Sequence, residues 1–399
     1  MKKITTLTKK KYPPQFWVLF WGMLISTTGA GMIWPFLMIY VSEKLALPLT
    51  SIAVLMTMHA AAGLVSSFFV GTLTDKAGRK ITMSIGLVAS GLLYLAMVPA
   101  STYTAFAVIM ILRGIFNPLY RIGSRAMIAD LVPEDERADA YALSRLGNNV
   151  GIALGPAIGG FVATSSYTIA FICATVGLIA FGLVVWFFTK ETLPEGEPEK
   201  TEDSGMGSYK KIFADKPFIF FALAFTLTQI AATTMWILMA VYAKNNFGVP
   251  ENQYGFIAMT NALMVVTLQL FVTRVSKKYQ PILVMALGAF IYAAGVTSIA
   301  LATGFWGFWI SMVVVTWGEL LLVPTATTYV ANTAPSDMRG RYMGIFTLGW
   351  GIATGIGPIV GGFLNDNISP VSIWYGGGLI GLFGALMYLN QYRKRKKTA

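Results

Sequence analysis

Charged residues are scarce in this chain. Only 12% of its 399 residues are Asp, Glu, Lys or Arg, and 55% are hydrophobic. Soluble domains carry about 25% charged residues, and the mean hydropathy here is +0.64. This composition does not fit a fold in water, and it predicts an integral membrane protein whose chain crosses the bilayer several times.

Cysteine and histidine are nearly absent. The single Cys173 excludes a disulfide framework and a cysteine-rich metal site, and the single His59 excludes two-histidine chemistry. We therefore expect no metal site and no cofactor. A membrane-embedded enzyme would need nucleophile and base groups that converge at one interface, and a sensor usually adds a soluble domain. Neither feature is visible, so we expect a protein that is not an enzyme.

The hydrophobic residues form blocks of the length that a membrane helix needs, about 20 residues. These blocks predict an all-α membrane protein with twelve transmembrane helices. The blocks cover 16–41, 51–73, 81–99, 104–129, 140–163, 168–188, 217–243, 255–275, 282–302, 305–330, 342–364 and 371–389.

Basic residues outside these blocks fall mainly on one face of the predicted topology. The opposite face has only Lys44 and Lys244. Because Lys and Arg are enriched in cytoplasmic loops, both termini are predicted to be cytoplasmic, in a protein of the inner (cytoplasmic) membrane. The net charge of +12 then reflects topology and attraction to anionic lipid rather than nucleic-acid binding. The basic face comprises Lys2, Lys3, Lys9, Lys10, Lys11, Lys76, Arg79, Lys80, Lys210, Lys211, Arg274, Lys277, Lys278, Arg339, Arg341 and the tail 393–397.

A hydrophilic stretch and an internal repeat divide the chain in two. Residues 190–216 are predicted to be a cytoplasmic linker between bundles 1–189 and 217–399. A constant offset of 202 positions relates Pro133 to Pro335 and Pro156 to Pro358, within similar local sequences. A fixed offset is the signature of a duplication, so the sequence predicts two pseudo-symmetric bundles of six helices each.

The loop between the second and third predicted helices, 71–80, reads Gly-Thr-Leu-Thr-Asp-Lys-Ala-Gly-Arg-Lys. This segment resembles the signature loop of the major facilitator superfamily, a transporter fold built from repeats. The resemblance implies a conformational latch whose charge-assisted bonds form in one domain arrangement and break in the other. The second-half counterpart, 269–278, keeps the cations but lacks the glycines and the aspartate. The other interpretation is a basic loop that only fixes topology. The latch would comprise Gly71, Asp75, Gly78, Arg79, Lys80 and Asp130. In this loop Gly71 would let helices approach closely and Gly78 would allow a tight turn.

Glycines recur every four residues in the fifth predicted helix, at Gly147, Gly151, Gly155 and Gly159, with Pro156 beside them. This spacing places them on one helix face, where a partner backbone can pack closely. The pattern resembles that of twelve-helix drug/proton antiporters, which implies export. The alternative is that small residues merely pack helices, as in any membrane bundle.

Ionisable groups within membrane helices are the best functional candidates, because burying a charge in the bilayer is unfavourable. Of 18 acidic residues only Glu319 is predicted near mid-span, and we expect it to carry the coupling proton. Polar stripes fall on the helices that line the central cavity in the resembled fold. The predicted substrate cavity comprises Thr27, Trp34, Arg113, Asn117, Tyr120, Gln229, Thr233, Trp236 and Glu319.

These features favour a secondary active transporter that exports hydrophobic or amphipathic small molecules in exchange for protons, acting as a monomer. The alternative is uptake or exchange of an organic anion, since Arg113, Arg121 and Arg145 outnumber the single acid within the spans. Arg113 would pair with substrate, with a protonatable acid or, in a purely structural role, with backbone carbonyls.

Overall fold

The computed structural model describes residues 12–193, 207–335 and 338–398. The regular structure in these three ranges is helical, so the predicted all-α membrane fold is confirmed. The basic N-terminal residues Lys2, Lys3, Lys9, Lys10 and Lys11 and residues 194–206 of the predicted linker lie outside the described residues.

Twelve long helical segments correspond to the twelve predicted spans. In the first, helix α1 continues through a single 3-10 turn, Trp34–Phe36, into α2. Within the described ranges, eleven of the segments are long and apolar enough to cross a membrane, and the twelfth is α4. The helices are α1 Pro14–Ile33, α2 Leu37–Leu45, α3 Leu49–Ala77, α4 Arg79–Ala96, α5 Tyr103–Leu131, α6 Arg137–Ser165, α7 Tyr167–Phe188, the short α8 Gly207–Ala214, α9 Lys216–Phe247, α10 Glu251–Ser276, α11 Pro281–Ser298, α12 Gly304–Thr333, α13 Arg339–Asn367 and α14 Ser372–Thr398.

Several helix ends follow local sequence signals. Thr102, Ser166 and Asp215 precede α5, α7 and α9, and each side chain accepts a hydrogen bond from a backbone N–H three residues further on. Such caps satisfy donors that the first helical turn leaves unpaired. Helix α9 ends at Phe247 and is followed by Gly248, whose φ of +65° is a left-handed conformation that favours glycine.

The chain divides into two compact units. The described part of the first unit comprises residues 12–34 and 61–193, and that of the second comprises 35–60, 207–335 and 338–398. In the first unit α1 packs on α6 and α7, and α4 packs on α5 and α7. In the second unit α9 packs on α13 and α14, and α11 packs on α12 and α14.

Segment 35–60 belongs to the second unit, although the predicted boundary placed it in the bundle 1–189. Charged and polar groups at and near this segment make contacts within the second unit. Lys244 of α9 forms ion pairs with both Glu43 and Glu251 at 2.5 Å. The carboxylate of Asp366 accepts hydrogen bonds from the backbone N–H of Leu49 at 3.1 Å and of Thr50 at 2.8 Å, where α3 begins. Local hydropathy carries no information about such long-range contacts.

Large apolar side chains are exposed along the long helices. Phe68 and Phe69 on α3 are 74% and 69% exposed, and Phe187 and Phe188 at the end of α7 are 71% and 73% exposed. Exposed apolar surface on this scale is unfavourable in water and suits a hydrocarbon surrounding.

Candidate functional site

The turn between α3 and α4 holds a cluster of charged side chains in the first unit. Gly78 forms the turn with a φ of +97°, a conformation that side chains other than glycine rarely adopt. A Cβ atom at this position would also meet the carboxylate of Glu191 at 2.3 Å. Gly78 is therefore required both by the backbone conformation and by the close approach of an acidic residue.

Arg79 is the centre of the cluster. Its side chain is 10% exposed and forms ion pairs with Asp75 at 3.3 Å and with Asp130 at 3.1 Å. Asp130 also accepts a hydrogen bond from the Thr192 hydroxyl at 2.9 Å. The structure thus brings together Asp75, Arg79 and Asp130. These are three of the four charged residues that the sequence assigned to the latch, and the fourth is Lys80.

Glu191 joins this cluster, and the sequence did not indicate it. Its carboxylate accepts hydrogen bonds from the backbone N–H groups of Arg79 at 2.9 Å and Lys80 at 3.0 Å. These are the first residues of α4, where an anion is stabilised by unpaired N–H groups and by the helix dipole. Sequence reasoning placed Glu191 in the linker, because nothing local connects it with a turn 112 positions earlier.

The charge of Glu191 is favoured by its surroundings. Burial by itself raises the pKa of this carboxyl group. Backbone hydrogen bonds from Arg79, Thr192, Leu193 and Lys80 outweigh burial and hold the pKa below its ordinary value. At neutral pH the residue is therefore an ionised cap on α4.

Two other residues of the predicted latch have different surroundings. The Lys80 ammonium group lies over the ring of Trp186 at 5.4 Å. Gly71 departs from the expectation that it lets helices approach closely, since a Cβ atom there would have no neighbour within 4 Å among the described residues. The position is open because it lies on a part of α3 without a closely packed partner in the described residues.

The glycine face of α6 packs against α1. A Cβ atom at Gly155 would lie 2.7 Å from the Cα of Gly31, and one at Gly159 would lie 2.4 Å from the backbone oxygen of Met32. Gly147 faces the ring of Phe20, and Gly151 faces Thr27. Backbone therefore contacts backbone at the two glycines that flank Pro156.

A cavity of about 810 Å³ lies among helices of the first unit. Four residues of the predicted substrate cavity line it, namely Thr27, Arg113, Asn117 and Tyr120. Trp34 is not among the described residues that line the cavity. The walls of the cavity combine cations, polar groups and apolar side chains. The lining residues are Met23, Ser26, Thr27, Ala30, Gly86, Leu87, Ser90, Tyr94, Arg113, Asn117, Tyr120, Arg121, Ser124, Arg125, Ile128, Tyr141, Ser144, Arg145, Asn148, Asn149 and Leu178.

The other predicted cavity residues belong to the second unit. Thr233 is buried and donates a hydrogen bond to the backbone oxygen of Ala353 at 2.7 Å, which is a helix-packing contact. Gln229 is 1% exposed, and within the described residues its Nε2 has no acceptor. Trp236 is half-buried on the same helix, α9.

Glu319 lies in the middle of α12 and is half-buried. Its Oε2 accepts a hydrogen bond from Nδ2 of Asn261 at 2.9 Å, and the same amide group donates to the Thr316 hydroxyl at 3.0 Å. None of the ion pairs among the described residues includes Glu319. A neutral amide therefore orients the carboxylate. Asn261 of α10 was not predicted as a site residue.

Comparisons with known proteins agree with this architecture. The sequence model of the Major Facilitator Superfamily matches residues 19–239 and again 221–399. One similar protein is a Na(+), Li(+), K(+)/H(+) antiporter of Planococcus maritimus, 25% identical over 92% of both chains. Another is the quinolone resistance protein NorA of Staphylococcus aureus (strain MRSA252), 25% identical over 96% of this chain and 98% of that protein.

Solved structures with little sequence identity share the fold. The nucleoside transporter NupG superposes with a TM-score of 0.80 at 14% identity, covering 95% of this chain and 99% of that one. A bacterial homolog to the human lysosomal transporter Spinster superposes with a TM-score of 0.76 at 13% identity, covering 95% and 96%.

Proposed function

This chain belongs to the major facilitator superfamily, and from that premise we propose that it exports hydrophobic or amphipathic small molecules in exchange for protons, by alternating access. As a member of this superfamily it is an integral membrane transporter and not an enzyme. Its relatives at 25% identity include a protein named for cation/H(+) antiport and one named for quinolone resistance, which supports proton-coupled export.

The observation that carries the proposal is the setting of Glu319. It is a carboxylate in the middle of a membrane helix, and its hydrogen-bond partner among the described residues is the neutral Asn261. A permanent cation beside it would hold the carboxylate in its charged state. An amide leaves both the protonated and the charged state accessible, and a proton carrier needs both. Proton binding can then bias the two conformations, because a ligand shifts an equilibrium by its differential affinity for the two states.

The charged cluster around Arg79 is proposed to act as the latch of this cycle. Its ion pairs lie on exposed or partly exposed carboxylates, and such contacts can form and break with modest changes in free energy. Lys76, Lys80 and the other basic loop residues support cytoplasmic termini in an inner membrane. We further propose that the transporter works as a monomer in contact with anionic lipid.

Uptake or exchange of an organic anion is the second candidate. The positive lining of the first-unit cavity favours it, since four arginines contribute to the wall. Export and uptake share the same alternating-access framework and differ in the direction in which the substrate moves.

Everted membrane vesicles test the proposal. A panel of cationic, neutral and anionic dyes is offered with and without an imposed pH gradient, and the wild-type protein should accumulate at least one dye only when the gradient is present. Glu319→Gln mimics the protonated form, so it should abolish gradient-driven accumulation while dye binding and passive exchange persist. Glu134→Gln, at an exposed position in a cytoplasmic loop of the predicted topology, is the matched control. Unchanged accumulation by Glu319→Gln, with an unchanged response to pH, would contradict the coupling role.

A further inference from the structure

Four arginines line the cavity of the first unit, and among the described residues its lining includes no Asp or Glu. We propose that this cavity binds the anionic group of an amphipathic organic anion, such as an aromatic carboxylate, and that substrates of the transporter carry such a group. The inference rests on the proposed transport of amphipathic molecules and specifies which of them the protein recognises.

Arg113 is the most informative of these residues. It is 5% exposed, and its guanidinium carbon lies 3.9 Å from the centre of the Tyr94 ring. Within the described residues, its Nε and Nη1 have no hydrogen-bond acceptor. A buried cation with unpaired donors is unfavourable. The aromatic ring offsets part of this free energy, and an anion in the cavity would provide the missing acceptors.

The three remaining arginines lie on two helices and add positive charge to the cavity wall. Arg121 and Arg125 are one helical turn apart on α5, and Arg145 is on α6. None of the ion pairs among the described residues includes them. Like charges four residues apart on a helix repel each other, so a bound anion relieves the repulsion. Guanidinium groups suit carboxylate, sulfonate and phosphate because their donors match the spacing of these oxygens.

Apolar side chains on the same walls define the rest of the ligand. Tyr94, Leu87, Met23 and Leu178 line the cavity beside the arginines. Its volume of about 810 Å³ lies in the range of small-molecule pockets, about 300–1,000 Å³. An inorganic anion alone would leave the apolar walls uncovered, whereas an aromatic carboxylate contacts both parts.

Binding of matched probes to the purified full-length protein tests the inference. We expect 2-naphthoate to bind at least tenfold more tightly than 2-naphthamide, which has the same ring system without the charge, in titration calorimetry. Arg121→Gln and Arg145→Gln should each remove most of this preference while the affinity for 2-naphthamide stays unchanged. Arg113→Gln should do the same if it folds. Arg274→Gln, at an exposed position of the second unit, is the matched control and should bind like the wild type.

Lipid nanodiscs separate a small-molecule site from a lipid headgroup site. In discs of phosphatidylcholine and in discs with added phosphatidylglycerol, the affinity for 2-naphthoate should be the same. Displacement of 2-naphthoate by the anionic lipid would overturn the proposal, as would equal affinities for the two probes or a preference retained in both Arg121→Gln and Arg145→Gln.

Glu319→Gln should keep the preference for 2-naphthoate over 2-naphthamide. Wild-type efflux that does not respond to a pH gradient would therefore contradict the proposed proton coupling and leave this inference unaffected. A wild-type protein that binds 2-naphthoate and 2-naphthamide equally would contradict this inference alone.

Discussion

The carboxylate of Glu191 accepts a hydrogen bond at 2.9 Å from the backbone N–H of Arg79, the first residue of α4. A second bond at 3.0 Å comes from the N–H of Lys80. These bonds join the segment that follows α7 to the α3–α4 turn. Arg79 also forms the ion pairs with Asp75 and Asp130. The charged cluster therefore depends on an anchor that follows the last helix of the first unit.

Removing this anchor should weaken the first unit. Glu191→Ala leaves the first N–H groups of α4 without their acceptor, and loss of a capping side chain costs about 1 kcal/mol. We expect a lower thermal stability of the purified protein, measured by intrinsic fluorescence, and reduced transport. Glu134→Ala, at an exposed loop position, should leave both unchanged. Equal melting temperatures for Glu191→Ala and the wild type would show that the cap does not contribute.

The same residue predicts a pH dependence. The pKa of Glu191 is lowered from its ordinary value of 4.5 by backbone hydrogen bonds that outweigh burial. Its contribution to stability is therefore fully present above that ordinary value and is lost as the pH falls through the lower pKa of the folded state. The difference in melting temperature between wild type and Glu191→Ala should stay constant from neutral pH to about 5 and shrink below about 4.5. A difference that grows on acidification would contradict this assignment.

Asp75 should matter for transport more than for folding. Its side chain is 56% exposed, and Arg79 has a second ion-pair partner in Asp130, which a neutral residue at position 75 would leave in place. Asp75→Asn should therefore lower transport severely while most folded protein remains in the membrane. Asp130→Asn should also lower stability, because this less exposed carboxylate accepts from both Arg79 and Thr192. Transport and protein amount in the same vesicles check both outcomes, and near-normal turnover by Asp75→Asn would contradict the latch.

The glycine face of α6 should not tolerate side chains. Gly155→Leu places a branched side chain where a Cβ atom would already lie 2.7 Å from the Cα of Gly31. Overpacking typically costs about 1–3 kcal/mol, so we expect loss of expression or of transport. Gly344→Leu, in α13, is the control, since a Cβ atom there would have no neighbour within 4 Å in the described part of the chain. Equal expression and activity of the two variants would show that α6 and α1 can separate without consequence.

Much of the fold could be predicted from local sequence. A membrane helix satisfies its backbone hydrogen bonds within one segment, so a run of about 20 apolar residues defines a span wherever it lies. The four-residue spacing of the α6 glycines likewise fixes their common face, and the structure places that face on α1. Glu319 stood out because a mid-span carboxylate is unfavourable without a function or a partner.

Contacts between distant residues were decided by tertiary structure alone. The cap from Glu191 to Arg79 and the acceptor that Asp366 offers to Thr50 each join positions more than 100 residues apart. Asn261 reaches Glu319 from a different helix. The sequence by itself determined which segments enter the membrane and which side chains are charged there, because hydropathy and charge are properties of single residues. Only the packed helices decided which of those charges meet, because pairing depends on distances that the order of residues does not specify.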